Sequence, residues 1–347
     1  MPKTVIVLGA GASKEVGLPT GIDLKKAIGQ RLNIRFDTTG RMTSGDPHIF
    51  NALRQHVEKE AGRNVNPYLN AARRIRAAMP QAISIDNFID AHRGDGRIEL
   101  SAKLAIVSTI LAAERDSALY RDHQSANTGL DYWKLEPTWF NAFLQLLTED
   151  CRAADLDARL SSLTFIVFNY DRCVEQYLHE ALQTYYGIGS DEAAAFVKRI
   201  HIYHPYGVVG ALPLYGGANV IEFGGEVQGF QLLKLAGQIK TFAEGTDPTL
   251  SDVVAIRQKL SEADRFMFLG FAFHRLNLSL MWPERAETPT KGMCFATALG
   301  ISASDVELIT KDIANLSGMY MNPSQIFLRH LSCAELFREY WRSLSLR

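Results

Sequence analysis

The sequence predicts a doubly wound α/β fold, a mostly parallel sheet with a helical insertion, and three observations carry that prediction. The chain opens with an apolar run, Val5 to Leu8, that leads directly into the glycine-rich turn Gly9-Ala10-Gly11-Ala12-Ser13. From Leu163 onward, short apolar runs alternate with stretches of helical periodicity. The segment between them, residues 38–160, is mostly helical in pattern. Parallel strands buried on both faces read as unbroken apolar runs and need helical crossovers to join them, and this pattern supplies both.

Taken in order, Ser13 to Leu32 has helical spacing, with Val16, Leu24, Ile28 and Leu32 near a 3.6-residue period. Gly17-Leu18-Pro19-Thr20-Gly21 interrupts it, because proline removes a helical hydrogen bond and collides with the preceding turn. Gly17 to Gly21 is therefore predicted to form a loop that can lie over whatever sits on the glycine turn. Thr38 to Asp46 is polar and turn-rich. Phe50–Glu60, Pro67–Ala78, Glu99–Leu119 and Thr138–Cys151 read as helices, and Ser84 can cap a short helix whose first turn holds Asp86. The later predicted strands are Thr164–Asn169, His201–His204, Phe266–Leu269 and Met293–Ala298. Cys173–Thr184, Ala193–Arg199, Gly229–Glu244, Leu250–Ala263 and Ala303–Leu316 are the predicted helices around them. A C-terminal stripe of Leu331, Leu336, Tyr340, Trp341 and Leu344 suits packing on the main domain or on a partner.

A chain of 347 residues can bury a sizeable core, and it is read as one domain carrying the 38–160 insertion. With Lys+Arg 37 against Asp+Glu 38, no global field favours nucleic acid or an anionic membrane, and Arg73, Arg74 and Arg76 read as a solvated helix face. No apolar run approaches the roughly 20 residues that span a bilayer, and the opening run is too short for a secretory signal, so a cytoplasmic location is expected. Cys151, Cys173, Cys294 and Cys333 form no C-x-x-C pair and no set at zinc spacing; no metal is expected, and the thiols should be buried and reduced. Tyr132-Trp133 and Trp139-Phe140 read as helix-packing aromatics or an oligomer contact.

In a doubly wound sheet the ligand lies beyond the carboxyl ends of the strands. The turn Gly9 to Ser13 would bring backbone N–H groups to a helix N-terminus, where a pyrophosphate is stabilised. It is not the full G-x-G-x-x-G, since Lys14 stands where the third glycine would be, and it is not a Walker loop. Asn169 ends an apolar strand, where a buried amide needs partners. It either caps the next helix, with Asp171 as its first-turn acid, or orients a water or a ribose hydroxyl. His204 ends the neighbouring strand, and is either packed with its nitrogens satisfied or able to exchange protons near neutral pH.

The ordered set GAGAS, GLPTG, SIDNF, FNYD, HPYG and LGFAF…N spans nearly the whole chain and resembles the bacterial sirtuin-like family. Family members similar to this chain act in phage defence as NAD hydrolases. The resemblance implies a Rossmann-like domain in which Gly9, Ala10, Gly11, Ala12 and Ser13 hold the NAD pyrophosphate, and Pro19 and Thr20 lie in the loop over the nicotinamide. Asn169 matches the catalytic asparagine of FNYD, with Asp171 beside it. Gly270, Phe271 and Asn277 match the adenine and ribose side, and Asp86 and Phe88 match a segment that closes one wall.

The chain departs from the family at the histidine. Where members often read H-x-H-G, it has His204-Pro205-Tyr206-Gly207, so Tyr206 occupies the position of the catalytic histidine. Either His204, on the same face if the strand continues, supplies the imidazole with help from Tyr206, or the chain is a weakly active binding or regulatory subunit. A phenol with a pKa of about 10 is a poor base at neutral pH. The paired C-x-x-C ribbon of deacetylase sirtuins is missing, which tells against a deacylase. The resemblance thus implies a regulated effector that cleaves NAD, its substrate, to nicotinamide and ADP-ribose without a metal. It also implies partners, namely further copies of the chain and a protein encoded nearby such as an ATPase or nucleotide-processing subunit. The alternative is a nucleotide-binding sensor with little turnover.

Overall fold

The computed structural model describes residues 1–58, 63–122, 129–249, 251–282, 292–317 and 323–347. β1 (Thr4–Leu8) leads into a one-turn helix, α1 (Ala10–Lys14), and then α2 (Gly21–Arg31). A small hairpin, β2 (Arg35–Phe36) and β3 (Met42–Ser44), precedes the helical segment of α3 (Pro47–Val57), α4 (Asn66–Ala78), α5 (Ile85–Ala91), α6 (Gly96–Asp116), α7 (Tyr132–Leu135), α8 (Trp139–Thr148) and α9 (Leu156–Leu160). The chain then alternates: β4 (Leu163–Val167), α10 (Cys173–Tyr186), α11 (Ser190–Arg199), β5 (His201–Tyr203), α12 (Gly229–Ala236), α13 (Phe242–Thr246), α14 (Val253–Ser261) and β6 (Arg265–Leu269). It closes with α15 (Arg275–Met281), β7 (Met293–Thr297), α16 (Ala303–Ser317), β8 (Ile326–Arg329), α17 (Cys333–Glu339) and α18 (Trp341–Leu344).

The six long-range strands form one all-parallel sheet in the order β5-β4-β1-β6-β7-β8. Numbered by their entry into the sheet this is 3-2-1-4-5-6, the Rossmann-like order, and the winding reverses between β1 and β6. Successive residues of each strand face opposite sides, and both sides are packed. Val5, Val7, Ile166, Phe266 and Phe268 join a core with α2 to α6, α12 and α14 to α16. Ile6, Leu8, Phe165, Val167, Met267 and Phe295 join a second core with α8, α10, α11 and α17. Burial on both faces is why the central strands β1, β4 and β6 are mostly apolar.

Several boundaries differ from expectation for identifiable reasons. Helix formation begins within the glycine turn, at Ala10 rather than Ser13, and Gly21 opens α2 instead of closing the loop before it. The predicted Gly229–Glu244 helix is broken in two, because Lys240 N donates to Tyr206 O and Thr241 starts a new helix in a capping box with Glu244. The strands expected to reach Asn169 and His204 end at Val167 and Tyr203, so both side chains project from loops. Residues 59 and 60 of one predicted helix and Leu250 of another lie outside the described residues. β8, whose apolar run is only Ile326 to Leu328, and the β2–β3 hairpin are not among the predicted elements. The C-terminal stripe packs on the sheet, with Leu336 and Leu344 buried in the second core. Arg73, Arg74 and Arg76 are exposed, all four cysteines are free and buried, and Trp139 and Phe140 are core residues while Trp133 is exposed. Among the described residues no helix is long and apolar enough to cross a membrane.

Two contacts lock the carboxyl end of the sheet. The loops after β1 and β6 interpenetrate: Gly9 N donates to Leu269 O at 3.0 Å and Gly11 N to Gly270 O at 3.0 Å. Gly270 has φ +55, and a Cβ there would meet Ala12 N at 2.0 Å and Gly11 C at 2.2 Å. The second contact is a buried ion pair in which Arg172 Nε donates to Glu114 Oε1 at 3.1 Å, both side chains being almost wholly inaccessible. The same guanidinium donates to Gly210 O, Ile221 O and Glu222 O, and Glu114 Oε2 also accepts from Gly224 N. The pair thereby ties α6 and the β4–α10 loop to the long segment after β5.

Gly270→Ala should lose at least about 3 kcal/mol of stability through combined overpacking and backbone strain. Gly29→Ala, inside α2 where nothing lies within 4 Å, should gain roughly 0.5–1 kcal/mol. Urea unfolding midpoints of the two variants check both signs. Arg172→Met, which strands a buried carboxylate, should cost about 3–5 kcal/mol, and adding Glu114→Leu should recover much of that loss in the same measurement.

Candidate functional site

The register of the sheet assembles the site. Leu8 pairs with Val167 on one side and Leu269 on the other, so the chain leaves β1, β4 and β6 at one level, at Gly9, Phe168 and Gly270. Tyr203 pairs with Ile166, which sets His204 at the level of Val167 on the neighbouring strand. The sequence therefore brings Gly9 to Ser13, Asn169 to Asp171, His204 and Gly270 to one edge of the sheet, at the reversal of its winding.

Asn169 reaches across to the glycine turn. Its Nδ2 donates to Gly9 O at 3.0 Å and to Ser13 Oγ at 3.1 Å. A backbone carbonyl can only accept, so the atom facing Gly9 must be the amide nitrogen. Both N–H groups are thereby used, and Oδ1 remains as the acceptor without a partner among the described residues. Asp171 is not the first-turn acid of α10: it precedes the N-cap Arg172, its Oδ1 accepting from Cys173 N at 3.2 Å, and the acid in the first turn is Glu175. Burial pushes the Asp171 carboxyl above its ordinary range, against the hydrogen bonds of Cys173 and Ser13 and the nearby His204.

His204 lies against α10, where its Nε2 sits 2.8 Å from Glu175 Oε1. Its Nδ1 and Glu175 Oε2 are both buried without a hydrogen-bond partner. Burial alone would depress the imidazole pKa, but Glu175, then Asp171 and the Asn169 carbonyl, outweigh it and hold the pKa above the ordinary histidine value.

Tyr206 belongs to a different cluster. The chain turns after His204, with Gly207 N donating to His204 O at 2.9 Å, so the two side chains do not share a strand face. Tyr206 OH donates to Asn277 Oδ1 at 2.6 Å and its ring packs edge-on to Phe168. Burial pushes its phenol further up, with Asp86 and Asp90 adding to the shift. Beside it Tyr170 OH donates to Asp86 Oδ1, and burial raises the Asp86 carboxyl despite that donor. Ser84 caps α5 as expected, accepting from Asn87 N at 3.0 Å, which sets Asp86 in the first turn. Phe271 is a buried core ring against Phe168, Phe268 and Phe273.

The turn itself is less open than its glycines suggest. The amides of Gly9, Gly11 and Ala12 donate to Leu269 O, Gly270 O and Gly9 O, and Ala12 O accepts from Trp139 Nε1. A Cβ on Gly9 or Gly11 would strike the Gly270 backbone, so close approach of the two loops already requires both glycines. Thr20 caps α2, its N and Oγ1 both donating to Asp23 Oδ2, while neighbouring Pro19 is partly exposed. Two clefts among the described residues lie elsewhere: one of about 310 Å³ between α3 and the start of α12, and one of about 180 Å³ beside α10, lined by Gln176, His179 and Leu212. Among the described residues no three metal-ligating side chains come together.

Three participants escaped the sequence reading. Glu175 could have been found as an acid one helical turn beyond Asp171, whereas Arg172 and Glu114 meet across 58 positions that no local pattern connects. Phe88, matched to the closing wall, is buried in the core, and its ring lies against His92. No family model and no curated protein matches the chain.

Proposed function

We propose that the chain binds NAD across the ends of β4, β1 and β6 and cleaves its nicotinamide–ribose bond. The observation that carries this reading is the Asn169 carboxamide. With both N–H groups held by Gly9 O and Ser13 Oγ, its orientation is set and one acceptor oxygen is left at the strand ends. An oriented acceptor of that kind can align a water by one of its protons and favour the positive charge that grows on the ribose. The C1′–N bond breaks with its electron pair going to nicotinamide, which leaves neutral. The water oxygen bonds to C1′, and its proton passes to a base. Asp171 and His204 are the proton-accepting groups beside Asn169.

The family resemblance supports an effector of phage defence that depletes NAD, controlled by self-association or by a protein encoded nearby. Hydrolysis by the purified chain, alone and with that neighbour, tests the reading. Asn169→Ala should lower kcat by roughly 10²–10³ with little change in NAD binding. Persistence of NAD in every combination would sink the hydrolase.

A second reading, a nucleotide sensor without turnover, is favoured by one observation. Tyr206, at the position of the family's histidine, is tied to Asn277 and is even less able to ionise than a free phenol. Calorimetry separates the two: the sensor should bind NAD and leave it intact, and the hydrolase should release nicotinamide.

A further inference from the structure

The buried pair of His204 and Glu175 lies outside the sequence expectation, and its two orphan atoms call for a role. Glu175 projects from the first turn of α10, and His204 from the end of β5. The carboxylate takes Nε2 at 2.8 Å, and Nδ1 makes no hydrogen bond of standard geometry, with the Asn169 carbonyl lying beside the ring. A carboxylate can only accept, so in the neutral ring the proton must sit on Nε2 and the lone pair on Nδ1.

The geometry points to Glu175 as the positioning residue that selects the Nε2–H tautomer of His204, making Nδ1 the base that takes the proton of the attacking water. This rests on the NAD-cleavage reading for its chemical consequence. It assigns the imidazole role to His204 and frees Tyr206 from it. The same logic, a carboxylate holding one imidazole nitrogen so that the other can accept a proton, recurs wherever a histidine activates oxygen nucleophiles.

The groups around the ring set the sign of the pH dependence. Glu175 and Asp171 face it, the Asn169 carbonyl is close, Tyr215 lies near Glu175, and the Cys173 thiol beside Asp171 and Glu175 is pushed up and stays neutral. Together they raise the histidine, and only its deprotonated form is a base. The rate should therefore climb with pH through a value above about 6.5. Glu175→Gln removes the charge and the tautomer choice while keeping the volume.

Two measurements test the assignment. The first follows the His204 ring by NMR across pH in the folded, NAD-free protein, using His204→Gln to identify its signal. Glu175→Gln should move that titration down by about one unit or more, and an unmoved titration overturns the assignment whatever the enzyme does. The second follows kcat. Glu175→Gln should lower it about 100-fold at neutral pH with KM little changed, and should shift the acid limb downward. In a His204→Gln background the same change should cost nothing further, and an additive loss there also overturns the assignment. If the NMR titration moves as expected while NAD is never cleaved, the hydrolase reading fails and the hold of Glu175 on His204 stands.

Discussion

The candidate site depends on the interlocking of two loops at the centre of the sheet. β1 is paired on both sides, so the segments leaving β1 and β6 must cross at the same level, and they do so by exchanging backbone hydrogen bonds through Gly9, Gly11 and Gly270. Bare backbone is what allows the crossing. Everything that reaches the turn then inherits a rigid reference: Trp139 fixes Ala12 O, Asn169 fixes Gly9 O, and Glu15 joins the starts of α8 and α17 by accepting from Trp139 N and Ala334 N. The cost falls on phosphate binding, because amides used between the loops are not offered to a ligand. Any ligand bound here would have to rely more on side chains than the glycine pattern alone implies.

The Arg172–Glu114 pair extends that rigidity to the segment after β5. Residues 204–228 contain little regular structure, and backbone carbonyls in such a segment need donors. Arg172 provides them from a fully buried position next to Asn169 and Asp171. An apolar pair could pack the same space with similar or better stability, but it could not satisfy three carbonyls and one amide at once. The charge pair is thus an organiser of the loop that carries Tyr206 and leads away from His204.

The sheet was legible because strands buried on both faces leave apolar runs, and the order of the runs follows from their crossovers. Ser84 was legible as a cap, since that function is local. Helix ends set by distant contacts were not, as Lys240 bound to Tyr206 O demonstrates by splitting a predicted helix. Asn169 and His204 lie in the loops just beyond the neighbouring strands that were expected to end at them, and which atoms they present depends on Gly9, Ser13 and Glu175, partners 160, 156 and 29 positions away. Chemistry of that kind is written in the register of the sheet.

The separation of His204 from Tyr206 follows from one backbone position. Gly207 adopts φ +74, and a Cβ there would meet Gln238 O at 2.0 Å, so only glycine lets the chain turn beneath the α12–α13 connection. That turn ends the strand after Tyr203 and sends the next side chains apart, His204 to α10 and Tyr206 to Asn277 on α15. The imidazole of His204 and the phenol of Tyr206 are therefore not two positions along a shared face. The two groups serve separate environments. One holds a carboxylate and a basic ring against the Asn169 loop, and the other pairs neutral phenols with Asp86 and Asn277. A ligand spanning both would meet a proton-accepting end and a hydrogen-bonding end, an asymmetry suited to a molecule with one reacting bond and a long remainder to be recognised.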